Sequence, residues 1–133
     1  MHFSIDDRIF KQFPGTMVGV IVAHGINNKL HQDEIKKVLK QAQDDLVKML
    51  GSNDLSKHPH ITVWREAYKK FGATPKKHLS SVENLATRAL EGQEFASINP
   101  LVDLYNAISL KYLLPGGGED LDAIVGDISL TIA

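Results

Sequence analysis

Three polar residues and a triple glycine lie close together near the C-terminal end of the chain. Residues 98–122 read INPLVDLYNAISLKYLLPGGGEDLD. Asn99, Asp103 and Asn106 follow one another at steps of four and three, so they project from neighbouring positions near the N-terminal end of one helix. That end of a helix carries partial positive charge and favours an anion or a polar ligand. We therefore predict a ligand pocket formed by these three residues together with Gly116 and Gly117.

A single helix must position these side chains, and local signals mark both its start and its end. Asn99 is a good N-cap, and Pro100 suits the first helical position, where its missing N–H costs nothing. Pro115 must end the helix, and the glycines that follow give a turn with little steric restriction. The alternative to a pocket is a capped helix whose Asp103 holds a neighbouring loop. Apolar residues recur between these limits at helical spacing: Leu101, Leu104, Tyr105, Ile108 and Tyr112.

Basic residues are concentrated in one part of the chain, although the formal net charge is only −1. Residues 57–78 contain six lysines and arginines and a single acidic residue, Glu66. Such asymmetry is typical of nucleic-acid binding, and the alternative is a solvated loop and helix end. Arg65 lies between Trp64 and Glu66. Its guanidinium is suited to bind a phosphate or a carboxylate of a ligand, and the alternative is a surface ion pair within the protein. The predicted RNA contacts are Arg65, Lys69, Lys70, Lys76 and Lys77.

Several catalytic and cofactor signatures are absent from the sequence. There is no cysteine, which excludes a cysteine nucleophile, a disulfide and a zinc–thiolate site. There is also no G-x-S-x-G elbow, no H-E-x-x-H pair and no P-loop lysine, and Glu119-Asp120 after the glycines would repel a phosphate. His58 and His60 form a conceivable metal pair, but no acidic partner stands at ligand spacing, so we predict no metal and no cofactor. Ser80 is better explained as a helix cap than as a nucleophile, and no residue is assigned a catalytic role.

The hydrophobic pattern predicts a mixture of strands and helices in one domain spanning residues 1–133. Strands are predicted at 1–5, at 127–133 and at the apolar run 17–23, which suits a buried central strand. Helices are predicted at 6–13, at 33–50, at 61–68 and at 82–90, the last of these after a capping box at 80–83. No apolar run approaches the ~20 residues of a membrane span. The sequence ends inside the predicted strand at 127–133, and this favours a truncated chain over one with a native terminal strand.

Two strings in the sequence, HPHITVWREAYKKFGATPKKHLSSVENL and the segment at 98–122, resemble a known family. They are similar to the B3/B4 domain of the phenylalanyl-tRNA synthetase beta subunit, and more closely to free-standing proteins built from that domain alone. The resemblance covers residues 57–133 and implies that the chain is the N-terminal portion of a single domain of this type. The implied fold is α+β, with three layers and a sandwich-like sheet core flanked by helices, as in a domain of tRNA-lysidine synthetase. The positions that match the editing-pocket motif of the synthetase are Asn99, Pro100, Val102, Asp103, Asn106, Pro115 and Asp120.

The resemblance also implies a function. Such a pocket receives the aminoacylated 3′ end of tRNA and hydrolyses a wrongly attached amino acid by positioning the ester and a water, without a covalent nucleophile. Synthetases commonly carry a histidine two residues after the proline, and this chain has Gly117 there. Two functions therefore stay open: an editing hydrolase acting in trans on mischarged aminoacyl-tRNA, and a non-catalytic tRNA- or amino-acid-binding module. The expected partner is tRNA or aminoacyl-tRNA, with neither DNA nor a membrane, and the expected setting is cytoplasmic.

Overall fold

The computed structural model of the chain describes residues 1–74 and 77–132, which form two compact units. The terminal unit comprises residues 1–26 together with 119–132, and the helical unit comprises residues 27–118. The five predicted pocket residues all lie in the helical unit, whereas Asp120 lies in the terminal unit. Packing within the helical unit is therefore what positions the predicted pocket.

The terminal unit joins two distant parts of the chain in a small parallel sheet. Strand β1 (Phe3–Ile5) lies beside strand β2 (Ile128–Leu130), with Phe3 opposite Ile128 and Ile5 opposite Leu130. Helix α1 (Asp7–Gln12) follows β1 and begins at Asp6, whose carboxylate accepts the N–H of Arg8 at 2.8 Å. The predicted strands near the two ends and the predicted helical turn between residues 6 and 13 are confirmed.

The predicted central strand at residues 17–23 is wrong. This segment has no regular secondary structure, and the side chains of Met17 and Ile21 are each 93% exposed. A strand is stabilised by hydrogen bonds to a neighbouring strand, and within residues 1–74 and 77–132 no strand lies beside this segment. An apolar run indicates that a segment favours burial, but it does not supply the neighbour that a strand requires.

Side-chain caps mark the starts of three of the four α-helices in the helical unit, and the start of the first has none. The side chains of His58, Ser80 and Asn99 each accept a hydrogen bond from the backbone of the first helical turn that follows. The first helix of this unit, α2 (Gln32–Leu50), ends at Gly51, whose φ of 54° is in the left-handed region that favours glycine. The helices are α2 (Gln32–Leu50), α3 (Pro59–Lys70), α4 (Ser81–Leu90) and α5 (Pro100–Tyr112), with a 3₁₀ turn at Leu55–Lys57 between α2 and α3. The predicted helices are thus confirmed, with small shifts at their ends.

The core of the helical unit lies between these helices. Ile61 of α3, Val82 of α4 and Leu110 of α5 are completely buried, and Leu39 and Leu46 of α2 are nearly so. Their burial supplies the main stabilising term, at about 25 cal/mol for each Å² of apolar surface removed from water. The polar side chains of the predicted pocket are held at the edge of this apolar core.

Helices together with a small parallel sheet place the chain in the α+β class. The sheet that the described residues form has two strands of three residues each. None of the helices described for this chain combines the length and the hydropathy that crossing a membrane requires.

Candidate functional site

The start of α5 brings Asn99 and Asp103 together in a hydrogen-bonded cap. The Asn99 Oδ1 accepts the N–H of Val102 at 2.9 Å. The Asp103 carboxylate is 99% buried and accepts the Ser97 hydroxyl at 2.5 Å and the Ile98 N–H at 3.3 Å. Asn99 therefore caps the first turn of α5, and Asp103 holds the segment before it. This geometry is the one expected from the alternative to a pocket, a capped helix whose Asp103 holds a neighbouring loop.

Two residues that the sequence reasoning missed complete this cap. Ser97 supplies the hydroxyl that donates to Asp103, and Asn28 reaches the same helix from far along the chain. The Asn28 Oδ1 accepts the Leu101 N–H at 2.9 Å, which satisfies a further donor of the first turn. Asparagine and serine are common capping residues, so their types were a signal, but only tertiary contact connects Asn28 with α5.

The glycine segment returns along the middle of α5. A Cβ placed on Gly118 would lie 3.5 Å from the Tyr105 ring, and one on Gly116 would lie 3.8 Å from the Tyr105 carbonyl oxygen. The glycine segment therefore lies against Tyr105 of α5, whereas Asn99 and Asp103 belong to the cap at the start of the helix.

The sequence predicts that the glycines after Pro115 form a turn, but residues 116–118 have no regular turn in the structure. Leu113, with φ of 49°, is the residue that takes the left-handed conformation after α5. None of the three consecutive glycines has a positive φ, and a Cβ on Gly117 would meet no atom within 4 Å. The segment is therefore an exposed, narrow strip of backbone whose N–H groups are not shielded by side chains.

Asn106 differs from the other two polar residues of the predicted pocket. Its side chain is half-buried, and in the described part of the chain no group hydrogen-bonds its amide. A side-chain amide offers two N–H donors and one carbonyl acceptor. Among the three polar residues of the predicted pocket, Asn106 is therefore the one whose side-chain amide has no partner in the described part of the chain.

The predicted RNA contacts lie at and after the end of α3. Lys69 and Lys70 occupy its last turn, where positive charge complements the helix dipole. The Lys69 ammonium forms an exposed ion pair with Glu66 at 2.6 Å. Lys77 lies in the turn that follows, and Lys76 falls outside the described residues.

Arg65 lies one turn earlier on α3 and pairs with a buried carboxylate. Its Nε donates to the Glu83 Oε1 at 2.8 Å, and its Nη2 contacts the same oxygen. The Glu83 side chain is only 4% exposed, compared with 26% for Arg65. The hydrogen bond that the Arg65 guanidinium donates to the Glu83 carboxylate raises the pKa of Arg65 above its ordinary value. The sequence left a phosphate, a carboxylate or a surface ion pair open for Arg65, and in the structure its partner is the carboxylate of Glu83.

This ion pair also changes the predicted capping box of α4. The Ser80 Oγ accepts the Glu83 N–H at 3.4 Å, as a capping box requires. The reciprocal bond of a capping box, in which the Ser80 N–H would donate to the Glu83 carboxylate, is absent, and that carboxylate accepts from Arg65 instead. Ser80 is 97% buried in this arrangement, so its role is that of a cap.

The two histidines considered as a metal pair lie at the start of α3 and not in a strand. His58 Nδ1 accepts the His60 N–H at 3.3 Å, and His60 Nδ1 lies 2.9 Å from the Tyr112 carbonyl oxygen. One ring nitrogen of each is thus occupied by backbone. Across residues 1–74 and 77–132, no group of three histidine or acidic side chains is placed to hold a metal ion.

Two open grooves lie on the helical unit, on different sides of α2. The first has a volume of about 780 Å³ and lies between α2 and residues 89–97. The second has a volume of about 770 Å³ and lies between α2 and α5. Neither groove is lined by a residue of the predicted pocket.

Comparison with known proteins gives one match. The family model described as the B3/4 domain matches residues 63–133, which is more than half of the chain. The matched range contains α4, α5, the glycine segment and all of the predicted pocket and RNA-contact residues. No curated protein and no solved structure matches the chain.

Proposed function

Since the chain belongs to the B3/4 domain family, we propose that it is a tRNA-synthetase-related domain that recognises mischarged aminoacyl-tRNA and hydrolyses its ester in trans. The observation that carries this proposal is the family match over α5 and the glycine segment, together with the half-buried Asn106, whose amide has no partner among the residues that the structure describes. The match also extends over the basic end of α3, which suits the RNA part of such a substrate.

The proposed reaction needs a positioned water and hydrogen-bond donors. Water adds to the ester carbonyl carbon, the ester C–O bond breaks, and the products are the free amino acid and the ribose hydroxyl of the tRNA. Negative charge develops on the carbonyl oxygen, and donors aimed at that oxygen lower the barrier. The Asn106 amide and the N–H groups of Gly116 and Gly117 are the donors that we assign to this pocket, and no covalent nucleophile is required.

The residues of the α5 cap have a supporting role in this proposal. Asn99 and Asp103 fix the start of α5 through bonds to Val102, Ser97 and Ile98. A rigid helix holds Asn106 in one position relative to the ester, and such orientation lowers the barrier of a reaction. Asn99 and Asp103 are therefore proposed to shape the pocket without touching the reacting atoms.

Phosphate contacts are proposed for the basic end of α3. Lys69, Lys70, Lys76 and Lys77 would neutralise backbone phosphates, with Arg65 beside them. Such contacts release counterions, so the affinity for tRNA should fall as salt rises. We further propose that the chain works in the cytoplasm. We also propose that it forms part of a single three-layer domain with a sandwich-like sheet core, to which the described residues contribute two short parallel strands.

Release of amino acid from a panel of mischarged tRNAs tests this proposal. The chain is expected to accelerate hydrolysis for at least one member of the panel, and Asn106→Ala is expected to lower that rate by about tenfold or more. Asn84→Ala is the matched control, because Asn84 is an exposed asparagine on α4. Gly117→His restores the histidine of the synthetases at a position where a Cβ meets no atom, and should raise the rate.

The outcome that contradicts the hydrolase is the absence of accelerated release for every tRNA in the panel. One observation favours the second candidate, a binding module without catalysis: two of the three polar residues in the predicted pocket hold the α5 cap. This module would bind tRNA with an affinity that falls with salt and would release no amino acid. Measuring binding and release on the same samples separates the two functions.

A further inference from the structure

The second groove of the helical unit is apolar and exposed. Helix α2 contributes Val38 and Met49, which are 46% and 55% exposed, and α5 contributes Ile108 and Tyr112, which are 49% and 53% exposed. Helix α4 lines the first groove and contributes nothing to this one. A cluster of large exposed apolar side chains on one face is typical of a surface that another element covers.

Two opposite charges lie on the α2 wall of this groove. Lys37 and Asp45 both line it, both are exposed, and they are two helical turns apart, or roughly 12 Å along the axis. Gln41 lies midway between them and donates to the Asp45 carboxylate at 2.8 Å. In the described ranges, Lys37 has no acidic side chain within ion-pair distance. Lys37 and Asp45 therefore lie at equal distances on either side of Gln41 and carry opposite charges.

We propose that a second copy of the chain occupies this groove, with the two α2 helices packed antiparallel about a two-fold axis at Gln41. In that arrangement Lys37 of each copy meets Asp45 of the other, so the interface contains two equivalent ion pairs. A two-fold interface uses the same patch on both copies, which requires such self-complementarity. Together α2 and α5 of both copies would form a four-helix layer.

The apolar residues of α2 fit the same axis. Val38 stands three residues before Gln41, whereas Ala42 and Leu46 stand one and five residues after it. A two-fold axis at Gln41 therefore places Val38 of one copy opposite the groove surface at Ala42 and Leu46 of the other, where both residues line the groove although they are largely packed into their own core. Ala42 is small, which lets the two helices approach closely near the axis.

The pattern of charge identifies a second copy as the occupant. A partner must present an apolar helical stripe with a carboxylate opposite Lys37 and an ammonium opposite Asp45 at the same spacing. Helix α2 itself presents this pattern when it is turned through the two-fold axis. The proposal is independent of the proposed hydrolase activity, since none of the pocket residues lines this groove.

Charge reversal tests the proposal by sedimentation of the 133-residue chain from about 1 µM to about 1 mM, the range in which weak complexes dissociate. The unmodified chain is expected to dimerise. Lys37→Glu and Asp45→Lys should each weaken the dimer by about tenfold or more, because each creates two like-charge contacts. The double variant should regain the original affinity to within a few-fold, and a mixture of the two single variants should form a heterodimer.

Lys36→Glu is the matched control, because Lys36 lies on the same helix and lines the first groove. It should leave the dimer unchanged, and helical circular dichroism should show that every variant remains folded. A chain that stays monomeric up to the highest concentration overturns the proposal, and so does a dimer that Lys37→Glu leaves unaltered. Failure of the deacylation assay has no bearing on this result, so the two proposals fail separately.

Discussion

At the scale of single residues, the polar side chains near α5 differ in whether their hydrogen bonds hold the fold. Asp103 is 99% buried and accepts two hydrogen bonds from the chain before the helix. Asn99 caps the same helix. Asn106 is half-buried and has no partner in the described part of the chain. Residue type and spacing placed all three near one helix, but hydrogen bonding assigns them different roles.

Removing the Asp103 carboxylate should destabilise the helical unit. Asp103→Ala leaves the Ser97 hydroxyl and the Ile98 N–H without their acceptor, at a cost of about 2–3 kcal/mol in the free energy of unfolding. Urea denaturation followed by fluorescence of Trp64, the only tryptophan, measures this. Asn106→Ala is the control and should change stability by less than about 0.5 kcal/mol. A stable Asp103→Ala chain that has lost deacylation would instead identify Asp103 as a pocket residue.

The Arg65–Glu83 pair should respond unequally to loss of its two members. Arg65→Ala leaves the carboxylate of Glu83, which is 4% exposed, buried and unpaired, and should cost about 3–5 kcal/mol. Glu83→Ala leaves Arg65, which is 26% exposed, able to reach water, and should cost less than half as much. Replacing both, by methionine and leucine, should recover most of the loss. The free energy of unfolding of the three variants checks this order, and equal losses for the two single variants would contradict it.

At the scale of elements, side-chain caps mark the starts of α1, α3, α4 and α5, and one of these caps joins a helix to the sheet. Asp6 accepts the N–H of Arg8 and two hydrogen bonds from its guanidinium, at 2.9 and 2.5 Å. It also accepts a weaker bond from Thr131, just after β2. The bonds from Arg8 lower the pKa of Asp6 from 3.8 to about 2. One carboxylate thus links the start of α1 with the end of the parallel sheet.

The pKa of Asp6 predicts an acid-sensitive terminal unit. Because this pKa is lower in the folded chain, the ionised carboxylate stabilises the folded unit above about pH 4, and this stabilisation is lost as the pH falls towards about 2. Carboxyl NMR titration should give Asp6 a midpoint near 2, and the β1–β2 amide signals should shift over the same range. Asp6→Asn should abolish that shift. Asp54→Asn, in the helical unit, should leave it unchanged, and a midpoint near 4 for Asp6 would contradict the assigned bonds.

At the scale of the whole molecule, membership of the B3/4 domain family agrees with the resemblance that the sequence shows over residues 57–133. The family could be predicted, because its motif lies within one helix and the loop after it, and the pocket that the same motif implies stays a prediction. The second groove could not be predicted in the same way. Its walls come from α2 and α5, which are far apart in the chain. The symmetric positions of Lys37 and Asp45 about Gln41 therefore suggest an interface only once the groove between these helices is known.

The sequence by itself determined the helices of this protein. Caps at Asp6, Ser80 and Asn99 and the end of α2 at Gly51 depend on contacts between residues within about four positions of each other. The tertiary structure decided which long-range partner each polar or apolar group obtained. It paired Glu83 with Arg65 instead of with its own cap, brought Asn28 to α5, and left residues 17–23 without a neighbouring strand. The physical reason is that caps and helical periodicity are local interactions, whereas ion pairs, grooves and sheets require segments that only folding brings together.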